Sequence, residues 1–105
     1  MDALLEAIGD PHRRTLLAAL REKPATVTEL ADLLPIARPG VSRHLRILRE
    51  AGLVAARPDA QRRIYELRSE PLVELDEWLA PYRDRWLHRL DALHTEIHRG
   101  TKSER

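Results

Sequence analysis

Residues 29–52 constrain the fold of this chain most, because they contain two short amphipathic stretches with a break at residues 35–37. The first stretch repeats leucine at three- and four-residue steps. The second has apolar side chains at Val41, Leu45, Ile47 and Leu48. Between these stand polar or cationic side chains, at Arg38, Ser42, Arg43, His44, Arg46 and Arg49. A helix of this kind can pack one side on a core and present the other to the major groove of DNA. The segment therefore predicts a helix-turn-helix with a recognition helix over about residues 38–51.

Positive charge is concentrated in the middle of the chain, although the formal net charge is only +1. Residues 36–68 contain eight arginines and three acidic residues, which leaves +5. Residues 1–35 hold four cations and six acids, and residues 69–105 hold six cations and eight acids, so each flank carries −2. A local positive field decides which partner is attracted more than the total charge does. The distribution indicates double-stranded DNA as the partner.

Composition limits the class of protein. With 105 residues, 43% of them hydrophobic and 33% charged, the chain is expected to form a single domain over residues 1–105. It has no cysteine, so disulfides and thiolate metal ligands are excluded. We expect no signal peptide and no membrane span, since no apolar run approaches the roughly 20 residues a span needs, and we therefore expect a cytoplasmic protein. The chain has no glycine-rich phosphate loop and no nucleophile motif, which predicts that it is not an enzyme.

Local signals predict further elements on both sides of this segment. Helices over about residues 2–8 and 11–22 precede it, and the capping-box spacing at residues 26–29 opens its first helix. After the recognition helix the apolar period changes to two, which predicts a hairpin over about residues 54–67 with its turn at residues 58–61. A helix-turn-helix followed by a hairpin is a winged helix. The predicted fold class is mainly α with a small β-hairpin.

A long apolar stripe marks the last predicted helix, over about residues 70–98. Its side chains recur at three- and four-residue steps, at Leu72, Leu75, Leu79, Tyr82, Trp86, Leu90, Leu93 and Ile97. Pro81 is expected to bend this helix or to remove one hydrogen bond. A chain of this size cannot cover such a stripe, so we expect pairing with a second copy, with help from the first helix. The predicted dimer interface consists of Leu4, Leu5, Leu79, Tyr82, Trp86, Leu90, Leu93 and Ile97.

Five short motifs carry a family resemblance: GDPHRR at residues 9–14, ELA at 29–31, PGVSRHL at 39–45, LREAGLV at 48–54 and RRIY at 62–65. Together they resemble the ArsR/SmtB family of bacterial winged-helix repressors. The last helix is similar to that of the metal-independent, SdpR-like branch of the family. The resemblance covers about residues 2–98 and implies a homodimer that binds an inverted repeat in a promoter and blocks transcription.

The resemblance also implies which residues contact DNA. By their place in the motif, Ser42 and Arg43 would read base edges, while the arginines of the wing would contact phosphate or the minor groove. The residues predicted to contact DNA are Arg38, Pro39, Gly40, Ser42, Arg43, His44, Arg46, Arg62 and Arg63. The alternatives are a solvated helix face and an ordinary polar hairpin. Arg13 and Arg14 could contact phosphate or pair with an acid.

Metal sensing is not expected. One metal site of the family uses cysteines on the third helix, and this chain has none. The other uses an Asp-x-His pair on the last helix, whereas here Asp84 is followed by Arg85 and Trp86. His94 and His98 stand four residues apart and could share a zinc ion, but a solvated pair is the alternative. We expect no metal and no cofactor, and the chain names no effector. Two other functions remain open, namely a winged-helix protein-interaction module and a zinc-responsive version of the repressor.

Overall fold

The computed structural model describes the backbone of residues 1–103 and the side chains of residues 1–97. The chain divides into two compact units, residues 1–74 and the residues from Leu75 onward. Its elements are α1 (Asp2–Ile8), α2 (Pro11–Glu22), β1 (Ala25–Thr26), α3 (Val27–Ala31), α4 (Arg38–Glu50), β2 (Val54–Asp59), β3 (Arg62–Leu67) and α5 (Glu70–Ser103). The prediction of a mainly helical chain with a hairpin after the recognition helix is confirmed.

Two of the helices begin where the sequence supplies a side-chain cap. At the start of α2, Asp10 accepts hydrogen bonds from the backbone N–H groups of His12, at 2.8 Å, and Arg13, at 3.1 Å. These bonds satisfy donors that the first turn of a helix leaves without partners. At the start of α3, Thr26 and Glu29 form a reciprocal capping box. Both starts were predicted, because the cap residues precede the apolar pattern directly.

The wing is part of a three-stranded antiparallel sheet in the order β1-β3-β2. Strand β2 pairs with β3 from Val54 opposite Leu67 to Asp59 opposite Arg62, which leaves a two-residue turn. The predicted four-residue turn at 58–61 is therefore wrong. Pro58 lies within β2, at the edge of the sheet, where a residue without an N–H is tolerated. Strand β1 was missed, because two residues are too short to show an alternating pattern.

The core of the first unit is built from leucine and valine. The largest fully buried side chains are Leu16, Leu30, Leu45, Leu48, Leu53 and Val41. Three of them, at positions 41, 45 and 48, come from one side of α4. That side anchors the helix to the unit. Because successive residues of an α-helix point in different directions, most of the remaining positions of α4 are exposed, while Gly40, His44 and Ile47 are half-buried.

Helix α5 runs from Glu70 through Pro81 to Ser103, so it is longer than the predicted span of about 70–98. Pro81 has no N–H to donate, so one carbonyl a turn earlier in the helix loses its intrahelical partner. The predicted stripe is exposed: from Leu79 onward, its side chains are between 40% and 62% accessible. Within the described residues, no helix combines the length and the apolar character that are needed to cross a membrane.

Candidate nucleic-acid interface

A cleft of about 370 Å³ lies between the start of α4 and the wing. Helix α4 contributes Arg38 and Ser42 to its walls, and β3 contributes Arg62 and Arg63. The remaining lining residues are Thr26, Val27, Thr28, Gln61 and Tyr65. Four of the residues predicted to contact DNA thus lie around one concave surface, although about twenty positions separate the two pairs in the sequence. Thr28 and Gln61 were not predicted, because each is a single polar residue with no pattern around it.

The first turn of α4 is held without a side-chain cap. The carbonyl of Ala37, at the N-cap, accepts hydrogen bonds from the N–H groups of Gly40 at 2.9 Å and Val41 at 3.3 Å. Pro39 stands in this turn and is exposed. A Cβ atom at Gly40 would lie 3.2 Å from Cδ1 of Ile36, which is tighter than ordinary van der Waals contact. The missing side chain at position 40 therefore lets Ile36 pack close to the helix start.

Arg38 ties this helix start to the preceding helix. Its Nη2 atom donates a hydrogen bond to Oγ1 of Thr28, at 3.0 Å. The contact joins α3 and α4, which are the two helices of the helix-turn-helix. It also holds the guanidinium group at the edge of the cleft, since both residues line it.

The exposed side of α4 presents hydrogen-bonding groups that the rest of the protein does not use. Ser42, Arg43 and Arg46 are all exposed. Among the residues that the structure describes, neither arginine forms an ion pair or a side-chain hydrogen bond. A guanidinium group has five N–H donors in a planar fork, a shape that matches phosphate oxygens and the acceptor edge of guanine. This side of α4 is chemically suited to DNA.

His44 was predicted to share that side, but the structure places it elsewhere. The ring is half-buried, its Nδ1 atom lies 3.1 Å from Nη1 of Arg13, and its centroid lies 5.8 Å from the ring of His12. Burial lowers the pKa of His44, and the charge of Arg13 acts in the same direction, while Asp10 opposes them. With Nδ1 engaged inside the protein, only Nε2 is left for DNA, and the predicted contact stays a prediction.

A signal for this placement was present in the sequence. Position 44 lies three residues after Val41, one before Leu45 and four before Leu48. Apolar residues three and four positions apart define the buried side of a helix. A polar residue with these spacings to Val41 and Leu48 therefore lies at the border of the core.

Arg13 and Arg14 hydrogen-bond to backbone rather than to an acidic side chain. Nε of Arg13 donates to the carbonyl of Ala7 at 2.7 Å, and its Nη2 donates to that of Glu6 at 3.0 Å. Nη1 of Arg14 donates to the carbonyl of Ile8 at 2.9 Å. The last carbonyls of a helix have no intrahelical donor, so the two arginines cap the end of α1. Sequence reasoning missed this role, since the acceptors are main-chain atoms.

The wing arginines differ in their surroundings. Nη2 of Arg62 lies 3.1 Å from Oδ2 of Asp59, although the side chain of Arg62 is 64% exposed. Arg57 pairs with Glu66 on the neighbouring strand, and this hydrogen bond raises its pKa above the ordinary value. In the described part of the chain Arg63 forms no ion pair, which leaves its charge available at the cleft.

The residues predicted at the dimer interface fall into two groups. Those of α5 are exposed: Leu79, Tyr82, Trp86, Leu90, Leu93 and Ile97. In α1, Leu5 is 47% accessible, whereas Leu4 is only 3% accessible and belongs to the core of its own unit. Leu5 therefore offers most of the apolar surface that these two residues could give to a partner. The interface itself stays a prediction.

A metal site was not predicted. No group of three or more His, Cys, Asp or Glu side chains suited to a metal ion occurs among the described residues. Of the candidate pair His94 and His98, the side chain of His98 lies outside the described residues.

Known proteins with similar sequences are bacterial regulators. The family model for "Bacterial regulatory protein, arsR family" matches residues 10–56. The chain is 44% identical over 66 residues to the HTH-type transcriptional regulator Rv2034 of Mycobacterium tuberculosis, a match that covers 63% of this chain and 62% of that protein. It is 30% identical over 79 residues to the transcriptional repressor SdpR of Bacillus subtilis, which covers 75% of this chain and 88% of the repressor.

The fold is also similar to solved structures. The crystal structure of an ArsR family transcriptional regulator aligns with a TM-score of 0.74 and 30% identity over 81% of this chain and 88% of that one. The predicted winged helix and family resemblance are thereby confirmed. The chain spans less than two thirds of the length of the mycobacterial relative, at 62%, but most of the length of SdpR, at 88%. It belongs to the arsR family of bacterial regulatory proteins.

Proposed function

We propose that this protein is a homodimeric, sequence-specific DNA-binding repressor that recognises an inverted repeat in a promoter. The observation that carries the proposal is the cleft where the start of α4 meets the wing. It gathers three guanidinium groups, those of Arg38, Arg62 and Arg63, beside the exposed face of α4. A helix in the major groove with a cationic hairpin on the adjacent backbone is how a winged helix contacts DNA.

The exposed residues divide into those that read bases and those that bind the backbone. Ser42 and Arg43 lie in the first half of α4, the part of a recognition helix that reaches base edges. Arg46 lies a turn later and is suited to phosphate. Arg62 and Arg63 stand next to the hairpin turn and are suited to phosphate or the minor groove. Base contacts give specificity, whereas phosphate contacts give affinity that depends on salt.

The exposed apolar face of α5 supports the part of the proposal that concerns dimerisation. Its six predicted interface side chains are 40–62% accessible, and two of its aromatic rings, Trp78 and Tyr82, lie 5.1 Å apart. An exposed apolar surface of this kind is a candidate interaction site. A symmetric dimer would carry two recognition helices and would match the two halves of an inverted repeat.

The test compares single arginine variants on two DNA probes by fluorescence anisotropy. One probe is a duplex from the promoter of the protein's own gene that contains an inverted repeat, and the other is a shuffled duplex of equal composition. Arg43→Ala is expected to cost about 1–3 kcal/mol on the first probe and little on the second. Arg63→Ala is expected to weaken both and to lower the salt slope by about 1.

Arg21→Ala is the matched control. Arg21 is an exposed arginine that pairs with its neighbour Glu22 on α2 and does not line the cleft. It should leave both affinities unchanged. Equal losses on both probes for Arg43→Ala would contradict its role as a base reader. A wild-type protein that binds the two duplexes equally, or only at low salt, would refute the proposed function.

A further inference from the structure

Arg13 lies in the first turn of α2, and its side chain contacts two other helices. Its Nε and Nη2 atoms donate to the carbonyls of Ala7 and Glu6 at the end of α1, and its Nη1 atom reaches His44 in α4. We propose that Arg13 and His44 form a latch that positions the recognition helix for operator binding, and that the latch opens when the imidazole of His44 takes up a proton. The inference rests on the proposed function, since it concerns how α4 is held for DNA.

The chemistry of the two groups fixes the direction of the hydrogen bond. Arginine has only donors, so Nδ1 of His44 must be the acceptor in the 3.1 Å contact with Nη1. The ring must then be neutral and must carry its single hydrogen on Nε2. In a protonated ring both nitrogens are donors, so the bond to Arg13 is lost and two cations face each other.

The groups that surround the ring favour its neutral state. The carboxylate of Asp10, at the cap of α2, favours the protonated ring. Arg13 and His12 in α2 oppose protonation, and so does Arg43 in α4 itself. Helix α1 contributes the backbone carbonyls that hold Arg13 in place. Burial is the largest influence, and it lowers the pKa of His44 below the ordinary 6.5. The latch is therefore closed at neutral pH, and it opens as the pH falls below 6.5 through the pKa of the folded protein.

The latch lies directly beside the residues proposed to read DNA. His44 follows Arg43 in sequence, and Ser42 stands two positions before it. The buried side of α4 is apolar at Val41, Leu45 and Leu48. Apolar contacts hold a helix against its neighbours with little directional preference, whereas a hydrogen bond adds a directional contact at one position of the helix. The contact to Arg13 can thus set where Arg43 points.

The free protein gives the first test, which needs no DNA. Long-range ¹H–¹⁵N NMR spectra distinguish the two neutral forms of a histidine ring. At about pH 8 the ring of His44 should be in the Nε2–H form, and it should titrate below the ordinary value for histidine. An Nδ1–H form would overturn the latch, because that nitrogen could not accept from Arg13.

The second test measures the ratio of affinities for the promoter duplex and the shuffled duplex as a function of pH. For the wild type this ratio should begin to fall below about pH 6.5, should be lowered about twofold at the His44 pKa that the NMR titration gives, and should continue to fall at lower pH. The key variant is His44→Asn, whose amide oxygen can take the place of Nδ1 as acceptor but does not titrate. Its ratio should not change between about pH 7.5 and 5.5. Circular dichroism confirms that the variant is folded.

His12→Asn is the matched control, because it removes a neighbouring imidazole and leaves the latch in place. It should keep the pH dependence and shift its midpoint to higher pH, since His12 disfavours protonation of His44. If His44→Asn lost specificity with falling pH as the wild type does, the latch would be wrong. If the wild type showed no preference for the promoter duplex at any pH, the proposed function would fail, and the NMR titration would still decide on the latch.

Discussion

The cap at the start of α2 allows a quantitative prediction, because Asp10 holds the turn from which Arg13 reaches its partners. In Asp10→Ala, the N–H groups of His12 and Arg13 lose the carboxylate oxygen that now lies 2.8 and 3.1 Å away. Loss of an N-cap costs about 1 kcal/mol. Loss of a negative charge at a helix N-terminus adds roughly 0.3–1 kcal/mol. The free energy of unfolding should therefore fall by about 1.3–2 kcal/mol, which lowers the unfolding midpoint by about 5–10 °C.

The charge contribution can be separated through its pH dependence. Burial alone would raise the pKa of Asp10, but the two backbone N–H bonds and the charge of Arg13 outweigh it, so the pKa lies below the ordinary 3.8. A carboxyl with a lowered pKa stabilises the fold above its unfolded value, and this contribution disappears as the pH falls through the folded value. Asp10→Asn keeps an acceptor oxygen without charge. The stability difference between wild type and Asp10→Asn should shrink as the pH falls below about 4.

Urea denaturation followed by circular dichroism measures these differences. All proteins are compared at one concentration, since dimerisation would make stability depend on it. Asp32→Ala is the control, because Asp32 is an exposed acid at the end of α3 rather than at a helix start. A loss below about 0.3 kcal/mol for Asp10→Ala would contradict the assigned cap. A difference between wild type and Asp10→Asn that stays constant from neutral to acid pH would refute the charge argument.

Three further predictions concern the turn, the dimer and metal. Ala60 has φ = 57°, so Ala60→Gly should relieve strain and stabilise the protein by about 0.5–1 kcal/mol in thermal denaturation, whereas destabilisation would contradict this backbone conformation. Leu90→Glu should give a monomer in sedimentation velocity, while Leu33→Glu, a change at another exposed leucine, should leave a dimer. Low-micromolar zinc or a chelator should change operator affinity less than about twofold. A larger change that is abolished by replacing His94 and His98 with alanine would make that pair a sensor.

The sequence predicted well those parts of the fold that have local causes. The starts of α2 and α3 depend on Asp10 and on the Thr26/Glu29 pair, which bond within three residues along the chain. Helix α4 was predicted because its leucines and Val41 follow the helical period. The wing was predicted because the apolar residues alternate after this helix. In each case the signal and the structure that it produces lie in the same short segment.

The features that were missed depend on contacts between distant segments. Strand β1 exists because Ala25 and Thr26 pair with Tyr65 and Ile64, about forty positions further along the chain. The hairpin turn is tighter than predicted because Pro58 and Asp59 continue the ladder with β3. Neither proline nor aspartate favours a strand, so local preference indicated a turn, and the pairing of the whole strand overrode it.

His44 shows why a polar residue on an amphipathic helix is difficult to assign from sequence. The rule that polar side chains face solvent assigned it to the same surface as Ser42 and Arg43. Its position three residues after Val41 puts it beside the buried stripe instead, where a half-buried imidazole needs a partner. Arg13 supplies that partner, and its other two contacts hold the end of α1. A single cation therefore contacts both α4, which carries the surface proposed for DNA, and α1, which carries Leu5.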